Sequence, residues 1–139
     1  MGKNLTILVV EDKEENLNAA REFFKCKEIN CFYATNFKQA LRILNNNNIN
    51  LAIIDECFPE DEGKFPSNVY GKNLELILEK KNILYCVVSG GGFVMLKCNG
   101  EMKCLDTSKE DIKVWETAYK TLVDYKKPFK RLLKSIFKF

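Results

Sequence analysis

Three carboxylates stand at the ends of two short apolar runs. Ile7-Leu8-Val9-Val10 leads straight into Glu11-Asp12, and Leu51-Ala52-Ile53-Ile54 leads straight into Asp55. Short β-branched runs without polar alternation read as strands covered on both faces, as in a parallel sheet. Such sheets bind ligands beyond the carboxyl ends of their strands, where the strand order reverses. Three acids delivered there repel one another unless a cation sits among them, and hard oxygen ligands suit Mg²⁺. The chemistry this pattern suits is an acid-lined metal site with one carboxylate left free to react.

The elements that must position these groups alternate along the chain. Strands are expected over residues 5–10, 29–34, 51–54 and 83–88, each a short apolar run. Helices are expected between them. Residues 14–25 carry Leu17, Ala20, Arg21 and Phe24 at helical spacing, with acids in the first turn that complement the helix dipole. Thr35 or Asn36 caps the next helix, whose stripe is Phe37, Ala40, Leu41 and Leu44. Residues 58–71 read as loop, broken by Pro59, Gly63, Pro66 and Gly71, and residues 73–81 as a third helix. Between 93 and 106 two readings stand. Asn99-Gly100 signals a hairpin, while a short fourth helix before a fifth strand over 102–105 fits as well. Ser108 then caps a helix from 109 to about 125, and Pro128 begins or kinks a final helical segment. Strands alternating with helices at this spacing imply right-handed crossovers and an α/β, doubly wound sheet.

Composition narrows the chemistry. The 139 residues, 46% apolar and 29% charged, suit one soluble domain. No apolar stretch approaches the ~18 residues of a membrane span and no signal-peptide pattern is visible, so a cytoplasmic location is expected. The chain has no histidine, which removes the commonest general base and the Ser-His and Cys-His dyads. Six cysteines include no Cys-x-x-Cys, which speaks against structural zinc and leaves them as small buried hydrophobes. Cys98 and Cys104 straddle Asn99-Gly100 and could face each other.

These residues resemble a response-regulator receiver domain. Glu11-Asp12 stand where receivers keep their acidic pair, and Asp55 where they keep the phospho-accepting aspartate. Asp55-Glu56-Cys57-Phe58-Pro59 is similar to the Asp-x-x-Met-Pro signature, and Gly63 fits the glycine that follows it. Ser89, after Tyr85-Cys86-Val87-Val88, matches the Ser/Thr switch position, with Gly90 as its small neighbour. The resemblance covers residues 4 to about 91 well and the rest loosely. It implies a flavodoxin-like fold, a five-stranded parallel sheet in the order 2-1-3-4-5. It also implies Mg²⁺ held by Glu11, Asp12, Asp55 and the Cys57 carbonyl. Phosphoryl transfer to Asp55 would follow, with Ser89 and a lysine taking up phosphoryl oxygens. The resemblance further implies that the chain would catalyse its own Mg²⁺-dependent phosphorylation and dephosphorylation, with no turnover activity expected.

Two lysines compete for the active-site place. Lys127-Pro128-Phe129 spells the receiver motif but lies 38 residues after Ser89, whereas Lys109 lies 20 after it and precedes a full amphipathic helix. Spacing favours Lys109, with Glu110 in place of the expected proline. Asp106 then stands where receivers place the aromatic of strand five. Residues 64–70 form an insertion beside Asp55, read either as a tolerated surface loop or as a cover over the site.

The domain is taken as residues 1–127, with 128–139 as an extension. In that extension Phe129, Leu132, Leu133, Ile136 and Phe137 form an apolar stripe, and Lys130, Arg131, Lys134 and Lys138 take the other face. This basic amphipathic helix either docks on the domain or meets an acidic partner or anionic membrane surface. Nucleic-acid binding is not expected. The implied partners are a sensor histidine kinase or phosphotransfer protein upstream and a protein target downstream. Two other functions compete: a pseudo-receiver serving as a phosphorylation-independent interaction module, and a phosphate-binding protein using Ser89 and the glycines after it. The lack of Gly-x-Gly-x-x-Gly or a Walker lysine after strand one counts against the last.

Overall fold

The computed structural model describes residues 5–90 and 93–136, with side chains as far as Lys126. The apolar runs form β1 (Thr6–Val10), β2 (Asn30–Ala34), β3 (Leu51–Asp55) and β4 (Leu84–Gly90). These lie in the order β2-β1-β3-β4 with all neighbours parallel, setting Val10 beside Ile54 and Asp55 beside Val88. Parallel neighbours need crossovers. Helices α1 (Glu14–Cys26), α2 (Phe37–Asn46) and α3 (Asn68–Lys80) supply them.

A last helix, α4 (Ile112–Ile136), joins α1 on one face of the sheet. There Leu17, Ala20 and Phe24 meet Trp115, Ala118 and Leu122 over Ile7, Val9, Leu51 and Ile53. On the other face α2 and α3 bring Ala40, Leu44, Leu74 and Leu78 over Leu8, Val10, Ala52 and Ile54. Successive residues of β1 and β3 thus enter opposite cores, so neither strand shows polar alternation.

Beyond β4 the expected five-stranded parallel sheet gives way to a different arrangement. The chain turns back as β5 (Val94–Cys98) and again as β6 (Glu101–Leu105), both antiparallel, for six strands in the order β2-β1-β3-β4-β5-β6. The β5–β6 turn is Asn99-Gly100, with φ of 54° and 84°. Two consecutive left-handed residues are what a tight type I′ hairpin requires, and Asn-Gly adopts them with little steric cost. The hairpin therefore replaces the alternative fourth helix. Having reversed twice, β6 runs in the direction of β4 and delivers the following loop to the sheet end that carries Glu11 and Asp55.

Several boundaries also shift. Ser67 Oγ accepts from Val69 N and starts α3 at Asn68, so residues 68–70 are helix, not inserted loop. Asp111 Oδ1 accepts from Lys113 N at the start of α4, in place of the expected cap at Ser108. That leaves Lys109 in a loop. The backbone of α4 continues through Pro128 to Ile136, without a new helix beginning there. The side chains expected to give residues 128–139 an apolar and a basic face lie outside the described residues. No helix among the described residues is long and apolar enough to cross a membrane.

Candidate functional site

Each acid reaches the sheet end from a strand terminus. Glu11 directly follows β1, its N–H donating to Ala34 O of β2 at 3.0 Å, and its side chain is fully buried. Asp12 is the next residue, and Asp55 closes β3. One carboxylate oxygen from each of Glu11, Asp12 and Asp55 lies within 4.8 Å of the others.

Among the described residues one buried ammonium answers them. Lys109 Nζ sits 2.8 Å from Glu11 Oε1 and 2.9 Å from Asp55 Oδ1, with the lysine side chain 8% exposed. Two features hold it there. The indole Nε1 of Trp115 donates to Lys109 O at 2.9 Å, fixing the backbone. The lysine stem crosses Gly90, where a methyl would stand 3.1 Å from its Cε.

Burial and charge then set the protonation. Burial, reinforced by the Glu11 charge, pushes Asp55 up to about 7, against the pull of Lys109 and the Glu56 N–H. Asp12 is raised by the same two causes. Burial works to lower Lys109, but Asp55 and Glu11 outweigh it and hold the ammonium above the usual lysine range.

Glu11 supplies the test of fit for a cation. Its Oε2 accepts from Lys13 N at 3.1 Å, and its buried Oε1 meets the Lys109 ammonium at 2.8 Å. That one ammonium is shared with Asp55, so the three clustered carboxylates keep an excess of negative charge and Glu11 stays open to a further positive ligand. Together with two further oxygen donors it makes a set of the hardness Mg²⁺ prefers. The residues present therefore suit such an ion.

A cleft of about 430 Å³ opens onto these groups, and Asp12, Asp55, Cys57, Ser89, Gly90 and Lys109 are on its walls. Ser89 reaches it from β4, where it pairs with Met95 of β5. The Lys127 side chain lies outside the described residues.

The loop after Asp55 is anchored on several sides. Phe58 is fully buried, and the first amides of α2 donate to it: Phe37 N to Pro59 O and Lys38 N to Glu60 O. Ser67 N closes the loop on Phe58 O at 3.1 Å. Pro66 reaches the cleft wall while Phe65 is 91% exposed. Gly71 of α3 presses on the loop, since a methyl there would lie 2.2 Å from Glu56 O. Sequence reasoning missed Gly71 and Trp115 as positioning residues. Gly71 read as a breaker, though a glycine inside a helix is itself a sign of close approach. Trp115 falls within the amphipathic helix expected after Lys109, where nothing in its spacing singled it out.

No protein-family model and no curated protein matches the chain. Solved structures do. A Francisella response-regulator receiver domain is 27% identical, with a TM-score of 0.50, over 63% of this chain and 67% of that one. The signal receiver domain of an HD domain-containing protein from Pseudomonas fluorescens Pf-5 is 17% identical, TM-score 0.52, over 64% and 66%. A response regulator receiver protein from Pseudomonas putida is 23% identical, TM-score 0.51, over 66% and 72%. The chain thus has the α/β fold of receiver domains and spans about two-thirds of the length of the first two.

Proposed function

We propose that this chain is a phospho-accepting receiver module in which Asp55 is the acceptor. The observation that carries the reading is the contact of Lys109 with both Asp55 and Glu11 at the floor of an open cleft. Glu11, Asp12, Asp55 and the Cys57 carbonyl would hold Mg²⁺, whose role is to offset phosphoryl charge near the acceptor. Asp55 Oδ attacks the phosphorus of a phosphohistidine or acyl phosphate. The bond from phosphorus to the donor's nitrogen or oxygen breaks, and the donor keeps that electron pair. Lys109 is already within reach of Asp55 and pairs with a phosphoryl oxygen in the product, while the Ser89 hydroxyl on the cleft wall donates to another. A sensor histidine kinase or phosphotransfer protein fits as donor, and a protein target as receiver of the signal.

One observation favours a second reading, a phosphorylation-independent interaction module. The β5–β6 hairpin replaces the helix and parallel strand expected after Ser89, and Asp106 follows β6 where an aromatic was expected. Fluorine NMR with beryllofluoride, an acyl-phosphate mimic, separates the two. The receiver reading predicts Mg²⁺-dependent bound resonances that vanish in Asp55→Asn. Their absence from the unaltered protein, or their survival in the variant, contradicts it.

A further inference from the structure

Cys86 and Cys98 lie directly opposite each other in the antiparallel β4–β5 ladder. Of the six cysteines they alone are so opposed: Cys31 faces Ile7, Cys104 faces Met95, and Cys26 and Cys57 lie outside the strands. Cys98 and Cys104, which the Asn99-Gly100 turn could have brought face to face, are not opposed: Cys98 pairs with Glu101 and is buried, while Cys104 is exposed. Both Cys86 and Cys98 point into the core beneath α4, at 0% and 3% exposure. Directly opposed antiparallel residues hold their Cα atoms about 4.5–5.5 Å apart. A disulfide accepts about 4.4–6.8 Å, so the backbone already has the spacing the bond needs.

We propose that Cys86 and Cys98 are a redox-active pair that closes to a cross-strand disulfide on reaction with a low-molecular-weight disulfide such as oxidised glutathione. The Cys98 sulfur attacks one glutathione sulfur, the S–S bond breaks, and the first glutathione leaves with the Cys98 proton. The Cys86 sulfur then attacks the mixed disulfide at Cys98, and the second glutathione leaves with the Cys86 proton. Two protein thiols are oxidised, and one glutathione disulfide is reduced to two thiols. The order follows from the local chemistry. Interaction with Cys86 lowers the Cys98 thiol, whereas Cys86 is pushed up, so Cys98 is the better attacking group. Cys98 also occupies the last rung before the Asn99-Gly100 turn, where opening of the hairpin end exposes it while the remaining rungs stay paired. The staple lies on the strand that carries Ser89, three residues away, and ties that strand to β5.

The test equilibrates the full chain across ratios of oxidised to reduced glutathione, then quenches, denatures and alkylates it. In a variant with Cys26, Cys31, Cys57 and Cys104 changed to serine, the two remaining thiols should disappear together. The product should be lighter by two hydrogens and carry no glutathione. Trypsin cleaves after Lys97 and separates the two cysteines, so in the oxidised protein residues 82–97 and 98–103 should stay linked until reduction. The same linked peptide is expected from the unaltered protein, which gives the readout if the four-serine variant does not fold. Cys86→Ser should stop at a single glutathione adduct on Cys98. Thiols that stay alkylatable at every ratio, separate glutathione adducts on both cysteines, or links only to other cysteines would overturn the proposal.

Discussion

Glu11, Asp12 and Asp55 crowd three carboxylates against one ammonium, and the consequences can be measured group by group. Folded Asp55 holds its proton up to about 7, whereas the ordinary carboxyl releases it near 3.8. Folding therefore takes up a proton in that window, and the Asp55 contribution to stability falls as pH rises from about 4 to about 7. Lys109, shifted upward, stays charged throughout it. Urea unfolding without metal should show that decline. Asp55→Asn should flatten it, and Mg²⁺ should restore stability near neutrality; parallel profiles for the two proteins would contradict this origin. Lys109→Met leaves Glu11 buried with its charge unanswered and should cost about 3–5 kcal/mol. Adding Glu11→Gln should recover much of that loss, and a double-mutant cycle measures how much. The convergence of the acids was legible because strand ends in a parallel sheet share one edge. The grip on Lys109 was not, since neither its stem over Gly90 nor the indole bond to its carbonyl leaves a mark in the spacing of residues.

Elements explain where the sequence pattern ran out. The hairpin after β4 was signalled by Asn99-Gly100, yet Val94-Met95-Leu96 is continuously apolar and shows neither helical nor alternating periodicity. Pairing decides the matter: Val94, Leu96 and Cys98 face the α4 core, while Met95 and Lys97 face the side that lacks the expected helix. The start of α3 was placed late because Pro66 and Gly71 read as breakers, whereas Ser67 caps a helix that tolerates Gly71 for its lack of a side chain. Gly71→Ala should therefore act as overpacking against backbone that cannot step aside. A loss of about 1–3 kcal/mol is expected, together with weaker Mg²⁺ binding through displacement of the loop after Asp55. Chemical denaturation and a metal titration check the two effects separately, and an unchanged protein would mean that the Glu56 carbonyl is not held as described.

At the scale of the molecule, two cores share one sheet and the site sits at the edge where both end. The four parallel strands and their order follow from patterns local to each segment. The edge strands β5 and β6 depend on which segments pair, and spacing alone does not specify that. The single tryptophan, Trp115, is 1% exposed in the α1–α4 core and bonded to the Lys109 carbonyl, so its emission should report on the site. Mg²⁺ should shift Trp115 fluorescence with the midpoint found by calorimetry, and binding without any spectral change would separate the core from the cleft. The most direct test of the central claim is the intact mass after incubation with Mg²⁺ and acetyl phosphate, beside Asp55→Asn. One phosphoryl adduct, dependent on Mg²⁺ and absent from the variant, is the predicted result. No adduct on a protein that binds Mg²⁺, or an equal adduct on Asp55→Asn, would contradict the assignment of Asp55 as acceptor.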